Sequence, residues 1–342
     1  MDTTTELASK FGVEIETRIK GLEGLDPPDV SEDNNGGTEY EKQMQRWERH
    51  VAPLSADLTK NHVANHLTAD QYGKDQETYY EWYLTQDDSI TQDRLWGVEL
   101  VSPVFDYPSR DTWKNQLSRV YGVINNAPFF SDPDGTCALH VHTSIEPAWT
   151  EARVRRLALA ILRYTPQFSQ LARKVGRTGK HAVAQAIPNN NSIPTGAPAV
   201  RGQHLGRSLE TTRDIVEALC PKDTRTLWTS ADPRPPRHYF WNLWPLVGLG
   251  FDENEGHYFV KRTGTVEFRL PPSPRTDVDA AAWIDFANLF VLAAVSDDDG
   301  DGDPPAAAGE DSSLLLFVRG WGERSGVPAE DLGRVEKLLT GL

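Results

Sequence analysis

TGTVEFRL (263–270) is the stretch whose reading decides the fold. Written as a strand, it places Val266, Phe268 and Leu270 on one face and Thr265, Glu267 and Arg269 on the other, because successive side chains point to opposite sides. The same alternation appears in FGVEIE (11–16), where Val13 and Ile15 oppose Glu14 and Glu16. It recurs in GVELV (97–101), with Val98 and Leu100 against Glu99, and in CALHVHT (137–143), with Leu139 and Val141 against His140 and His142. Four scattered strands each carry one apolar face and one ionisable face. Brought into one sheet, they predict a buried side and a side lined with carboxylates, imidazoles and one guanidinium.

Elements read outward from these strands are irregular in order. Residues about 39–66 read as a helix, with Pro53 as a break or kink. QETYYEWYLTQDDS (76–89) fits a strand or hairpin arm. Trp113, Leu117, Val120, Tyr121 and Ile124 recur at helical spacing, which predicts a helix over 110–126. A second, strongly apolar helix is expected over 151–175 and a third over 277–295. RHYFWNLWPL (237–246) and GHYFVKRTG (256–264) read as strands, and the chain from Ser312 reads as a helix followed by another after Pro328. This is not the regular strand–helix alternation of a doubly wound fold. It predicts an α+β architecture, a mostly antiparallel sheet with one catalytic face and helices on the other. A single catalytic domain over 1–342 is expected. It would carry an insertion at 21–95, a Gly-, Pro- and Asn-dotted loop at 176–206 of the length that often serves function, and an acidic low-complexity segment at 296–311.

Composition narrows the function. The 342 residues are 38% hydrophobic and 25% charged, the balance of a soluble globular chain. A net charge of −15 argues against a nucleic-acid backbone as partner, since phosphate binding needs a basic surface. No apolar run reads as a membrane span, and MDTTTELASKFG lacks the pattern of a secretory signal. Cys137 and Cys220, the only two cysteines, offer neither a disulfide framework nor metal-site spacing. A cytoplasmic protein without a membrane partner is expected, and no signal fixes an oligomeric state.

Chemistry enters with the polar faces. Glu14 and Glu16 share a side of their strand about 7 Å apart. Glu99 and Glu267 on the same surface would make four carboxylates against the single charge of Arg269. Like charges that close repel unless a cation lies among them. Oxygen-rich sites with one or two imidazoles suit Mg²⁺ or Mn²⁺, and Arg269 suits a phosphate beside them. Taken singly, each pair also reads as a solvated strand face or a surface ion pair.

Together FGVEIE, GVELVSP, CALHVHTS, HYFWNL and GTVEFRL, in this order, resemble the amidoligase family of carboxylate–amine ligases. The resemblance implies the catalytic sheet of glutamine synthetase, γ-glutamylcysteine ligase and guanido kinases. It also implies ATP and Mg²⁺ (or Mn²⁺) as cofactors, a small-molecule or peptide carboxylate and an amine as substrates, and an acyl-phosphate intermediate. Carried over by position, Glu14, His140 and Glu267 would hold one metal, and Glu16 and Glu99 another. Arg269 would stabilise the transferring phosphoryl group, His142 would lie by the nucleotide or its phosphates, and Asn242 would contact substrate or nucleotide. In the long loop, Lys180 and Arg201 suit an acidic substrate or the ATP tail. The sequence departs from the family pattern where His238, rather than a basic residue, precedes Tyr239, with Arg237 one position further back.

Two other readings share these residues. His140, His142 and Glu146 have the spacing of a cupin metal site, which would support an iron-dependent oxygenase. An amidoligase-like chain without catalytic activity could instead bind a peptide or protein partner.

Overall fold

A computed structural model describes residues 7–20, 38–68, 80–87, 89–90, 95–177, 215–216, 240–247, 263–296 and 313–341. Within them, eight strands, β1 (Ala8–Ile19), β2 (Asn65–Leu67), β3 (Trp82–Thr85), β4 (Trp96–Val101), β5 (Phe105–Asp106), β6 (Leu139–Glu146), β7 (Trp241–Asn242) and β8 (Val266–Phe268), form an open sheet in the order β2-β3-β4-β1-β6-β8-β7, with β5 paired to β1. All the ladders resolved between named strands are antiparallel except β2–β3. The expected α+β, mostly antiparallel sheet is present. The chain clusters into two compact units, and β1 (Ala8–Ile19) and β6 (Leu139–Glu146) each contribute residues to both.

One unit comprises residues 11–140 and 271–281. It holds most of β1, α1 (Glu39–Lys60), β2 (Asn65–Leu67), β3 (Trp82–Thr85), β4 (Trp96–Val101), β5 (Phe105–Asp106) and α2 (Arg110–Ile124). Helix α1 begins in a capping box, Thr38 and Glu41 satisfying each other's backbone N–H. Its buried Trp47, Val51, Leu54 and Leu58 recur at three- and four-residue spacing, the stripe of a helix laid on a core. Trp47 Nε1 donates to Gly97 O at 2.7 Å, tying the helix to β4. Pro53 lies inside the helix. The expectation of a helix reaching residue 66 is corrected: α1 stops at Lys60, and residues 65–67 form β2. His62 adopts a left-handed φ of 60° and Val63 N bonds back to Leu58 O, the wrap that closes a helix C-terminus.

Register explains the sidedness of this sheet. Ile15 opposes Leu100 and Leu100 opposes Leu84, an apolar row. One residue along, Glu16 opposes Glu99 and Glu99 opposes Thr85, because a single step turns every side chain to the other face. On the apolar side Phe11 packs edge-on against Trp113 of α2 at 5.4 Å and beside Phe105 at 5.5 Å.

The other unit comprises the N-terminal residues through Lys10, residues 141–270 and residues 282–342. Its described elements are most of β6, α3 (Glu151–Lys174), β7 (Trp241–Asn242), α4 (Trp244–Val247), β8 (Val266–Phe268), most of α5 (Asp277–Val295), α6 (Leu314–Arg324) and α7 (Ala329–Thr340). Strand β8 pairs antiparallel with both β6 and β7. Val141, Phe268 and Trp241 make its apolar row, and Phe168 of α3 meets Phe268 and Trp241 at about 6 Å. Phe286 and Phe290 of α5 complete the aromatic core.

Two strand expectations are corrected here. TGTVEFRL keeps strand geometry only over Val266–Phe268. Of RHYFWNLWPL, only Trp241–Asn242 is strand; Asn242 Oδ1 accepts from Trp244 N at 3.1 Å and starts the helical turn α4. Arg237, His238 and Tyr239, residues 256–262, nearly all of the 176–206 loop and residues 297–311 lie outside the described residues. Helix α5 is a further correction, being long and apolar enough to cross a membrane. It is nearly all buried inside the protein, as a core helix is.

Candidate active site

The polar side of residues 11–140 is built on three strands. Glu16 from β1, Glu99 from β4 and Asp87, two residues past the end of β3, bring carboxylate oxygens within 4.8 Å of one another. Glu14, Glu99 and His140 form a second such group. Glu14 Oε2 lies 3.0 Å from His140 Nδ1, and Glu16 Oε1 lies 3.5 Å from His140 Nε2. Glu16, Glu99 and His140 are only 2–3% exposed. Glu16 is further fixed by Ala138 N, which donates to its Oε2 at 2.7 Å.

Electrostatics decides what such a cluster is for. Two unit charges 4.8 Å apart at an effective dielectric near 20 repel by about 3.5 kcal/mol. Arg18, two residues from Glu16 on β1, has its guanidinium paired with Asp134 at 2.7 Å. A hard divalent cation is the group that three carboxylate donors and a neighbouring imidazole fit.

Cys137 stands next to this cluster without joining its chemistry. Burial, chiefly, with the charges of Asp134 and Glu16 added, pushes its thiol up to about 12. A thiol held protonated is neither a metal ligand nor a nucleophile at neutral pH. Burial also works to raise the Asp134 carboxyl, but hydrogen bonds from the Thr136 hydroxyl and N–H, with Arg18 beside it, outweigh burial and hold it low. Asp134 thus anchors the turn that leads into β6.

In the other unit, Glu267 is the centre. It opposes His142 on β6 and Asn242 on β7, so the three side chains form one cross-strand row. Asn242 Nδ2 donates to Glu267 Oε2 at 2.7 Å, the Arg269 guanidinium donates to Oε1, and His142 Nε2 lies 3.8 Å from Oε1. Arg269 is itself positioned by its N–H, which donates to Phe240 O at 2.8 Å. Glu267 therefore sits on the polar face of β8 as a carboxylate braced by the guanidinium of Arg269, one residue past the strand's end.

Of the residues expected at the site, Glu14, Glu16, Glu99 and His140 come together in one unit, and His142, Asn242, Glu267 and Arg269 in the other. Lys180 and Arg201 lie outside the described residues. Asp87 is the residue that sequence reasoning missed. Its signal was present in parity: once TQD is placed after a strand paired with β4, Asp87 follows Thr85 by two and falls on the side of Glu99. The cupin spacing does not gather into a site: Glu146 is exposed and paired with Lys10 at 2.7 Å, whereas His140 is with Glu14 and Glu16.

Compared with known families, residues 7–184 match the family described as a putative amidoligase enzyme, just over half of the 342-residue chain. The matched stretch carries Glu14, Glu16, Asp87, Glu99, His140 and His142, and ends before Asn242, Glu267 and Arg269. No curated protein matches the sequence.

Proposed function

This chain belongs to the amidoligase enzyme family, and from that premise we propose that it joins a carboxylate to an amine with ATP, using Mg²⁺ or Mn²⁺. The observation that carries the reading is the convergence of buried Glu16 and Glu99 with half-buried Asp87, beside Glu14 and His140. Glu14 and His140 would hold one ion, and Glu16, Asp87 and Glu99 another. In the other unit, Glu267, braced by Asn242, would offer a carboxylate to a metal. When bound, the metals supply charge neutralisation for the ATP phosphates and a template that orients them.

The chain's own residues then have definite tasks. An oxygen of the acid substrate attacks the γ-phosphorus, the bond to ADP breaks, and an acyl phosphate forms. The amine nitrogen attacks the acyl carbon, phosphate departs, and the amine gives up a proton as the amide forms. Arg269, planar and always charged, meets the oxygens of the phosphoryl group in transfer, where negative charge is redistributed. His142 contacts nucleotide phosphate from the same polar row as Glu267. Burial of Glu16 and Glu99 would strengthen their attraction for an ion, because charges interact more strongly away from bulk water.

ADP and phosphate release, measured with Mg²⁺ across a panel of acids and amines, tests this. Release dependent on one acid–amine pair is expected, with the amide detected by mass. Arg269→Ala and Glu99→Gln should each lower it by about 100-fold or more while circular dichroism stays native. Wild-type turnover in Arg269→Ala would refute the assignment. A folded protein that binds neither ATP nor Mg²⁺ would point to the non-catalytic binding role instead.

A further inference from the structure

Thr85 closes β3 with a side chain that is 0% exposed. It opposes Glu99, which opposes Glu16, so all three project from the same side of the sheet. Asp87 reaches the same group from two residues further on. The Thr85 hydroxyl has no hydrogen-bond partner among the described residues. Two buried hydroxyls of the same unit are satisfied, Ser102 Oγ accepting from Val13 N and donating to Pro103 O and Thr17 Oγ1 pairing with Ser131 Oγ, whereas those of Tyr121 and Ser273 are, like that of Thr85, without a partner among the described residues; of these three, only Thr85 is in register with Glu99 and Glu16. Valine has the same shape and an equal liking for strands, so a fully buried threonine with an unspent hydroxyl is unexplained by packing.

The inference rests on the metal reading of the Glu16–Asp87–Glu99 cluster and adds a residue to it. We propose that Thr85 is a positioning residue for the cation held by Glu16, Asp87 and Glu99, its hydroxyl taking a hydrogen bond from a water on that ion. Mg²⁺ and Mn²⁺ bound by carboxylates keep several waters. Such a water has committed a lone pair to the ion and is left as a donor seeking acceptors. The Thr85 oxygen lies on the side of the sheet where one is needed, and a hydroxyl, unlike a fourth carboxylate, accepts without adding charge to a cluster already carrying three. Its β-branched side chain has few rotamers, so the acceptor is held in place.

Mn²⁺ binding to the full chain, followed by titration calorimetry and by the electron spin resonance of the free ion, tests this alongside melting temperature with and without the metal. Thr85→Val should weaken the affinity of one Mn²⁺ site by about tenfold or more, the usual effect of losing a group that supports a metal from one bond away. Thr85→Ser should restore it. In chelator-treated protein, Thr85→Val should melt at or above the wild-type temperature, because the unpartnered hydroxyl is gone. A merely structural threonine would give the opposite pattern: lower metal-free melting temperature and unchanged affinity. Wild-type Mn²⁺ affinity in Thr85→Val, with Glu99→Gln losing the site, would overturn the role of Thr85 and leave the metal reading standing. No Mn²⁺ bound by the wild type would overturn both.

Discussion

Glu267 and Cys137 show how neighbours decide what a side chain can do. Glu267 is held from two sides by Asn242 and Arg269, so its carboxylate is fixed before any ligand arrives. Preorganised groups of this kind need no rearrangement as charge moves in the reaction. Cys137 is the contrary case, a group silenced by its surroundings. Its thiol is raised to about 12 in the folded chain, against roughly 8.5 when unfolded. Below the unfolded value both states keep the proton, and the contribution to stability is full. As pH rises from about 9 towards 12, the unfolded chain releases the proton first and native stability falls, by about 1.4 kcal/mol per pH unit at most. Urea denaturation at pH 8 to 11 should show a shallower loss for Cys137→Ala than for the wild type. Identical slopes would mean that the thiol is not held protonated.

Among the elements, the aromatic core behind β8 carries the polar row in front of it. Phe168 touches Trp241, Phe268, Phe286 and Phe290 and is fully buried. Phe168→Ala should therefore cost about 3–5 kcal/mol in chemical denaturation. A loss below 1 kcal/mol would contradict the packing described. Much of this level was legible in the sequence. Alternation within FGVEIE, GVELV, CALHVHT and TGTVEFRL is a local property, and it placed Glu14, Glu16, Glu99, His140, His142 and Glu267 on polar faces without knowledge of the pairing. The helices α2, α3 and α5 announced themselves by apolar spacing. What escaped depended on partners far away in sequence. The strand WYLT could not be sided until it was paired with β4, so Thr85 and Asp87 stayed hidden. The end of α1 was missed because a left-handed His62, where glycine is the usual residue, closes the helix. Asn242 read as a ligand contact, and the Asx-type turn it makes with Trp244 was invisible from composition.

At the scale of the whole molecule, family membership meets a charge pattern. An acidic chain gathers Glu14, Glu16, Asp87 and Glu99, two of them buried, on the polar side of an open, mostly antiparallel sheet. The central claim is that a substrate carboxylate is activated by phosphorylation before an amine attacks it. Once the acid–amine pair is identified, turnover of the ¹⁸O-labelled acid with ATP and Mg²⁺ tests that claim most directly. Phosphate released during turnover should carry one ¹⁸O from the acid for each amide formed, because the acyl-phosphate oxygen leaves with phosphorus. Amide formed with unlabelled phosphate would contradict the account.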